Sequence, residues 1–173
     1  MADVCIDASD FEVDPNGLLK LNATYVQSVA QSFVHTLTGA PDVYEDINEF
    51  SDVILTVAGL WLVTMDVRGN ATITPAGIGT VVGAKAACEL RQNGASVPGT
   101  ETMLQLTSQG SPDTSEPALQ LHGSGSATRV IQAAAGDALQ IWGKRNSDAG
   151  TTTTIASDTS GRCRITAVRI GSA

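Results

Sequence analysis

At 173 residues with a net charge of −8, the chain is long enough to bury one core without cross-links or metals. Apolar residues make up 42% and charged residues 16%, too apolar for a disordered chain and too interrupted for a membrane-spanning helix. Ten acids against Lys20 alone lie in residues 1–60, whereas the rest holds eight acids and nine Lys or Arg; this is a poor surface for nucleic acid and suggests two tasks in one chain.

The start, "MADVCIDASDFEVD", has acids where a secretory leader needs a basic and then an apolar segment, so neither a cleaved leader nor membrane insertion is expected. Cys5, Cys88 and Cys163 are odd in number and far apart, which reads as reduced thiols used as small apolar residues rather than a disulfide framework. Asp14-Pro15-Asn16-Gly17 is a turn signal, because proline presets one dihedral and glycine accepts a positive one. Its flanks, "FEV" and "LLKLN", form a small hairpin that is marginal alone and needs a partner surface.

In "NATYVQSVAQSFVHTLTG", Val26, Val29, Ala30, Phe33, Val34 and Leu37 recur at spacings of three and four. That spacing predicts one amphipathic helix from a cap at Asn22 to a stop at Gly39; the Val, Thr and Phe content offers a strand near 31–38 as the alternative. The next segment, "PDVYEDINEFSD", carries five acids from Asp42 to Asp52. It lacks the spacing and central glycine of a helix-loop-helix calcium site, so a solvated acidic loop is the reading and calcium the open alternative.

From Ser51 the pattern changes to short apolar runs separated by turns. In "LWLVTMDVRGNATITP", Trp61, Val63, Met65 and Val67 face one way and Leu60, Leu62, Thr64, Asp66 and Arg68 the other, the alternation of a half-buried strand. Asn93-Gly94 is the preferred dipeptide of a two-residue hairpin turn, Gly136-Asp137 separates two further strands, "HGSGSAT" at 122–128 reads as a flexible loop, and the polar run "DAGTTTTIASDTS" joins the last two apolar segments. Strands at this spacing, with few helical stretches, predict an all-β antiparallel sandwich or barrel.

The order "VAGLWLVTMDV", a strand with an "RQNG" turn, "AAAGDALQIWGKRNS" and a terminal "RITAVRIG" resembles the globular heads of complement and tumour-necrosis-factor-like proteins, in the form found on bacteriophage virions. The likeness covers roughly residues 51–171. It departs in having few aromatics, with Trp61 where the family often has tyrosine. The resemblance implies a jelly-roll sandwich of about 8–10 strands that assembles as a homotrimer, with its first and last strands side by side in the inner sheet. Residues 51–173 would be the head and residues 1–50 a short attachment segment, with or without one helix, that docks on tail or capsid proteins. The start "CIDASDFEVDPNGLLKLN" is similar to the starts of minor structural proteins from phages of actinobacteria. These likenesses imply a virion location and a non-enzymatic minor tail or fibre component, with a host cell-surface glycan as the candidate partner for adhesion; a capsid-decorating head fibre is the alternative place.

Catalytic signals are sparse. His35 and His122 are the available imidazole bases, and no G-x-S-x-G elbow accompanies them. "GIGTVVG" at 77–83 lacks the strand and helix that a nucleotide-binding loop needs, and reads as a Gly-rich loop between strands. His122 with Asp113 and Glu116 is at most a fragment of a metal site. No catalytic, cofactor or metal residue is therefore assigned. A carbohydrate-binding or carbohydrate-cleaving module is the reading of another class, although Trp61 and Trp142, both in apolar strand patterns, suggest burial rather than sugar stacking.

Overall fold

The computed structural model describes residues 11–13, 15–21, 24–73, 80–111, 119–147 and 151–172. A hairpin does form around the expected turn: β1 (Phe11–Val13) pairs with β2 (Leu19–Leu21) in a two-stranded sheet of its own, and Gly17 takes the left-handed φ of 79°, while Asp14 lies outside the described residues.

All other strands belong to two antiparallel sheets. They are β3 (Tyr25–Gln27), β4 (Phe33–Thr36), β5 (Glu45–Asp46), β6 (Val53–Ile54), β7 (Gly59–Ile73), β8 (Thr80–Gln92), β9 (Ala95–Ser96), β10 (Thr102–Ser111), β11 (Leu119–Ala133), β12 (Ala138–Ser147), β13 (Thr151–Ser157) and β14 (Arg164–Gly171). The long β7 organises the first sheet. β11 pairs along its whole length on one edge, while β14 and β13 share the other and carry β3 and β4 outward of them. In the second sheet, β10 and β12 flank β8, β5 and β6 lie along the far edge of β12, and β9 folds back on the end of β8.

The topology follows from that pairing. Taking β3, β5 with β6, β7, β8, β10, β11, β12 and β14 as the principal strands, the first sheet runs first, eighth, third, sixth, and the second runs second, seventh, fourth, fifth. This is the two-sheet jelly roll, and the described residues include no helix. The core fills the space between the sheets. Trp61, Val63, Met65 and Val67 of β7 and Ile165 and Ala167 of β14 face Ala86, Cys88 and Leu90 of β8 and Leu139 and Ile141 of β12. Buried and part-buried residues alternate along β7 as its sequence requires.

Several expectations need correction. The stretch 24–39 is not a helix: β3 and β4 take its place, and Val29 and Val34 of the supposed stripe are 75% and 65% exposed. Nor does the head begin at residue 51. β3, β4 and β5 are already built into the two sheets, and Leu37, Ile47 and Phe50 are buried in the common core. "HGSGSAT" is not a loop but the middle of β11, paired residue by residue with β7. The polar threonine run forms β13, where β-branched side chains suit the extended backbone. Of the 77–83 stretch, residues 80–83 start β8 and the others lie outside the described residues, as do Cys5, Asn22, Asp113 and Glu116.

The Asn93-Gly94 turn is as expected, with φ of 52° and 78° at the two residues, the pair of positive values that a two-residue hairpin of this twist requires. The last strand, β14, lies inside its sheet between β7 and β3, so the first and last strands of the sandwich are neighbours.

Candidate functional site

One face of the first sheet packs on the core, and its outer face is assembled in rows by the strand register. β7 sends its even-numbered residues outward, and the antiparallel pairing puts outward residues of β11, β14 and β3 beside them. Val130, Leu62, Val168 and Tyr25 form one row across four strands. The next is Thr128, Thr64, Thr166 and Gln27, with the Thr64 and Thr128 hydroxyls 3.0 Å apart. Below it come Ser126, Asp66 and Arg164, where the Arg164 Nε donates to Asp66 Oδ2 at 2.7 Å, and then Ser124 beside Arg68.

The face is therefore graded. Its upper end is apolar and open to solvent: Tyr25 is 56% exposed, Val130 52% and Leu62 39%, with Ile170 exposed nearby. Its middle is lined mainly by small hydroxyl side chains. Its lower end is charged and opens into a cleft of about 540 Å³ between β7, β11, β14 and the turn at 158–163. Isolated exposed apolar side chains need no explanation, but three exposed ones in register with the half-buried Val168 on one sheet face form a surface that another apolar surface can cover.

The outer face of the second sheet is chemically different and pairs many of its charges internally, while the buried Trp142 Nε1 and Arg145 Nε have no hydrogen-bond partner among the described residues. The Arg91 guanidinium lies 3.8 Å from the centre of the Trp142 ring and 5.5 Å from that of Tyr44, and the Lys144 ammonium lies 4.5 Å from the Tyr44 centre. The Tyr44 hydroxyl and the Lys144 ammonium both donate to Glu101 Oε2, at 2.6 and 2.7 Å. The bond from Lys144, helped by that from Tyr44, holds the Glu101 carboxyl below its ordinary range. Burial and the adjoining Glu101 push the Tyr44 phenol upward. Trp61 is buried completely and donates its indole N–H to the Val57 carbonyl at 3.3 Å, so the two tryptophans are, respectively, enclosed and stacked under arginine.

The acidic loop is used structurally. Glu45 accepts from the Thr38 and Gly39 amides at 2.7 and 3.0 Å, Glu49 Oε2 meets His35 Nδ1 at 2.6 Å, and Asp42 lies 3.6 Å from Lys85. Burial and then the neighbouring Asp52 raise Asp46 above its ordinary value. Among the described residues no group of three His, Cys, Asp or Glu is placed to hold a metal. His122 Nδ1 sits 2.5 Å from Asn70 Oδ1, and among the described residues neither imidazole is hydrogen-bonded to a hydroxyl or thiol. Cys88 and Cys163 are buried free thiols, and burial pushes the Cys163 thiol up to about 11.

The sequence shows that Leu60, Leu62, Thr64, Asp66 and Arg68 share one face. It does not show which residues of β11, β14 and β3 join them, because that register is set by pairing partners more than 50 residues away in the chain. The reversed direction of β11 against β7 is what gathers His122 and Ser124 beside Arg68.

No family of proteins and no curated protein matches the chain. Among solved structures, that of Eiger TNF from S. frugiperda is similar to it, with a TM-score of 0.48 and 14% identity over 87% of this chain and 94% of the other.

Proposed function

We propose that the chain is a non-enzymatic structural protein of a bacteriophage virion, a homotrimer that buries the upper, apolar end of the outer face of its first sheet against two sister copies and leaves the charged lower end open. The single observation that carries self-association is the apolar row Val130, Leu62, Val168 and Tyr25, exposed at all but the half-buried Val168 and continued by rows of small hydroxyl side chains that let like surfaces approach closely. Support for the virion setting comes from the order of sequence motifs and from the acidic amino-terminal segment. The β1–β2 hairpin is a two-stranded unit of the kind that gains stability by adding to another surface, which fits docking on a larger particle. In this reading the jelly-roll head projects as part of a tail or fibre component and presents its loops to the host envelope, where three weak contacts gain through effective concentration.

The direct test is electron microscopy of intact particles labelled with antibody against residues 59–172. Discrete label at the tail tip, or on the capsid for a head fibre, is the expected result. Particles that contain no such chain by mass spectrometry, from a lysate in which it is expressed, would refute the virion assignment.

A further inference from the structure

The lower end of the sheet face is a local inversion of the chain's charge. With a net charge of −8, the molecule still gathers Arg68, Arg162 and Arg164 around one open cleft of about 540 Å³, together with His122, Ser124 and Ser160. Asp66 and Asp158 offset two of the three cations, through Arg164 at 2.7 Å and Arg162 at 2.8 Å. Arg68 has no carboxylate partner among the described residues, which leaves the cluster with an excess positive charge. Each paired arginine is engaged through Nε, so its terminal N–H groups stay available as donors. Acidic groups elsewhere are screened over roughly 8 Å at physiological salt, so the nearby guanidinia set the local field.

We propose that this cleft binds a small oxyanion, a phosphoryl or sulfate group, either free or carried on a polymer. The donor chemistry selects the ligand. Guanidinium forks offer paired N–H groups at the spacing of two oxygens on one tetrahedral or planar anion, and the two serine hydroxyls supply further donors. A cation would be repelled, and an apolar ligand would strand these donors without partners. The site is held in place by the fold rather than by the ligand. Arg68 and Ser124 are paired across β7 and β11, the Arg68 amide donates to Cys163 Sγ at 3.4 Å, and the turn before Arg162 is fixed by Asp158 Oδ1 accepting from the Ser160 amide at 3.0 Å. The inference does not depend on the virion assignment, because it is measured on the purified chain in whatever oligomer it forms.

Thermal unfolding is followed against inorganic phosphate, a glycerol-phosphate polymer and chloride, all at matched ionic strength. Phosphate is expected to stabilise the protein saturably where chloride does not. Arg68→Gln should weaken that response ~10- to 100-fold, the loss of one charge-assisted contact, while Arg129→Gln, outside the cleft, should not change it. If Arg68→Gln melts early in chloride alone, Arg162→Gln, whose side chain is 54% exposed, carries the comparison. Tighter binding of polymer than of phosphate, per phosphoryl group, identifies the polymer as the source; equal or weaker binding identifies the free anion. No saturable response to either, an equal response to chloride, or full retention in both arginine variants overturns the proposal.

Discussion

Gly143 tests whether the segment 37–47 is built into the sandwich. A methyl group placed on its Cα would lie 2.9 Å from Leu37 Cδ2, 3.0 Å from Ile47 Cδ1 and 3.5 Å from Ile155 Cγ1. The first two are far inside van der Waals contact. Both partners end in methyl groups that can rotate, but Leu37 is only 3% and Ile47 only 1% exposed, so rotation passes the crowding on to the rest of the core. Overpacking of this kind costs about 1–3 kcal/mol. Gly143→Ala should therefore lower the urea midpoint with m unchanged, read from tryptophan fluorescence at fixed protein concentration. Leu37→Ala alone should cost about 2–5 kcal/mol through the cavity it leaves. The double variant should cost less than the two together by about 0.5 kcal/mol or more, because the new methyl occupies space vacated by Leu37. Strict additivity, or a neutral Gly143→Ala, would show that residues 37–47 do not pack on β12.

Three further outcomes follow from single sites. Asp137 accepts from Gln92, Asn93 and the Ala134 amide, and the bond from Asn93, followed by those from Ala134 and Gln92, lowers its pKa from 3.8. The unfolded chain therefore binds the proton more readily, so the carboxylate's contribution is fully present above pH 3.8 and fades as pH falls below it; Asp137→Asn should flatten the acid limb of the stability curve, and an unchanged limb would contradict the assignment. Gly94→Val, which puts a β-branched residue at φ 78°, should destabilise by roughly 1–2 kcal/mol in thermal melts, and no loss would refute the turn. Cys88 and Cys163 should resist maleimide at neutral pH in the native state and react in denaturant, as peptide mapping can show, because burial keeps both as thiols; labelling of either in the native protein would contradict its burial.

What the sequence revealed depended on the range of the signal. The alternation along 60–68 and the Asn93-Gly94 turn are local, and both appear as expected. The stretch 26–37 misleads because two short strands separated by an irregular segment imitate the three- and four-residue spacing of a helix; Val26 and Phe33 pack on the core while Val29 and Val34 point to solvent. The composition of "HGSGSAT" suits a loop, yet small residues are needed there. A side chain at Gly125 would collide with Thr102 and Leu104, where the edge strands β10 and β11 approach. The change of pattern at residue 50 marks the onset of long strands, not of the domain, since short edge strands carry little periodic signal. The apolar row and the arginine cleft are products of register between distant strands, which local patterns do not encode.

Sedimentation equilibrium over the micromolar range, on the wild-type chain and on Leu62→Asp, tests the central claim most directly. The wild type should show a species of three times 17.8 kDa, and the aspartate, an unpaired charge in the middle of the apolar row, should yield a folded monomer. A monomeric wild type, or a trimer indifferent to Leu62→Asp, would contradict the account.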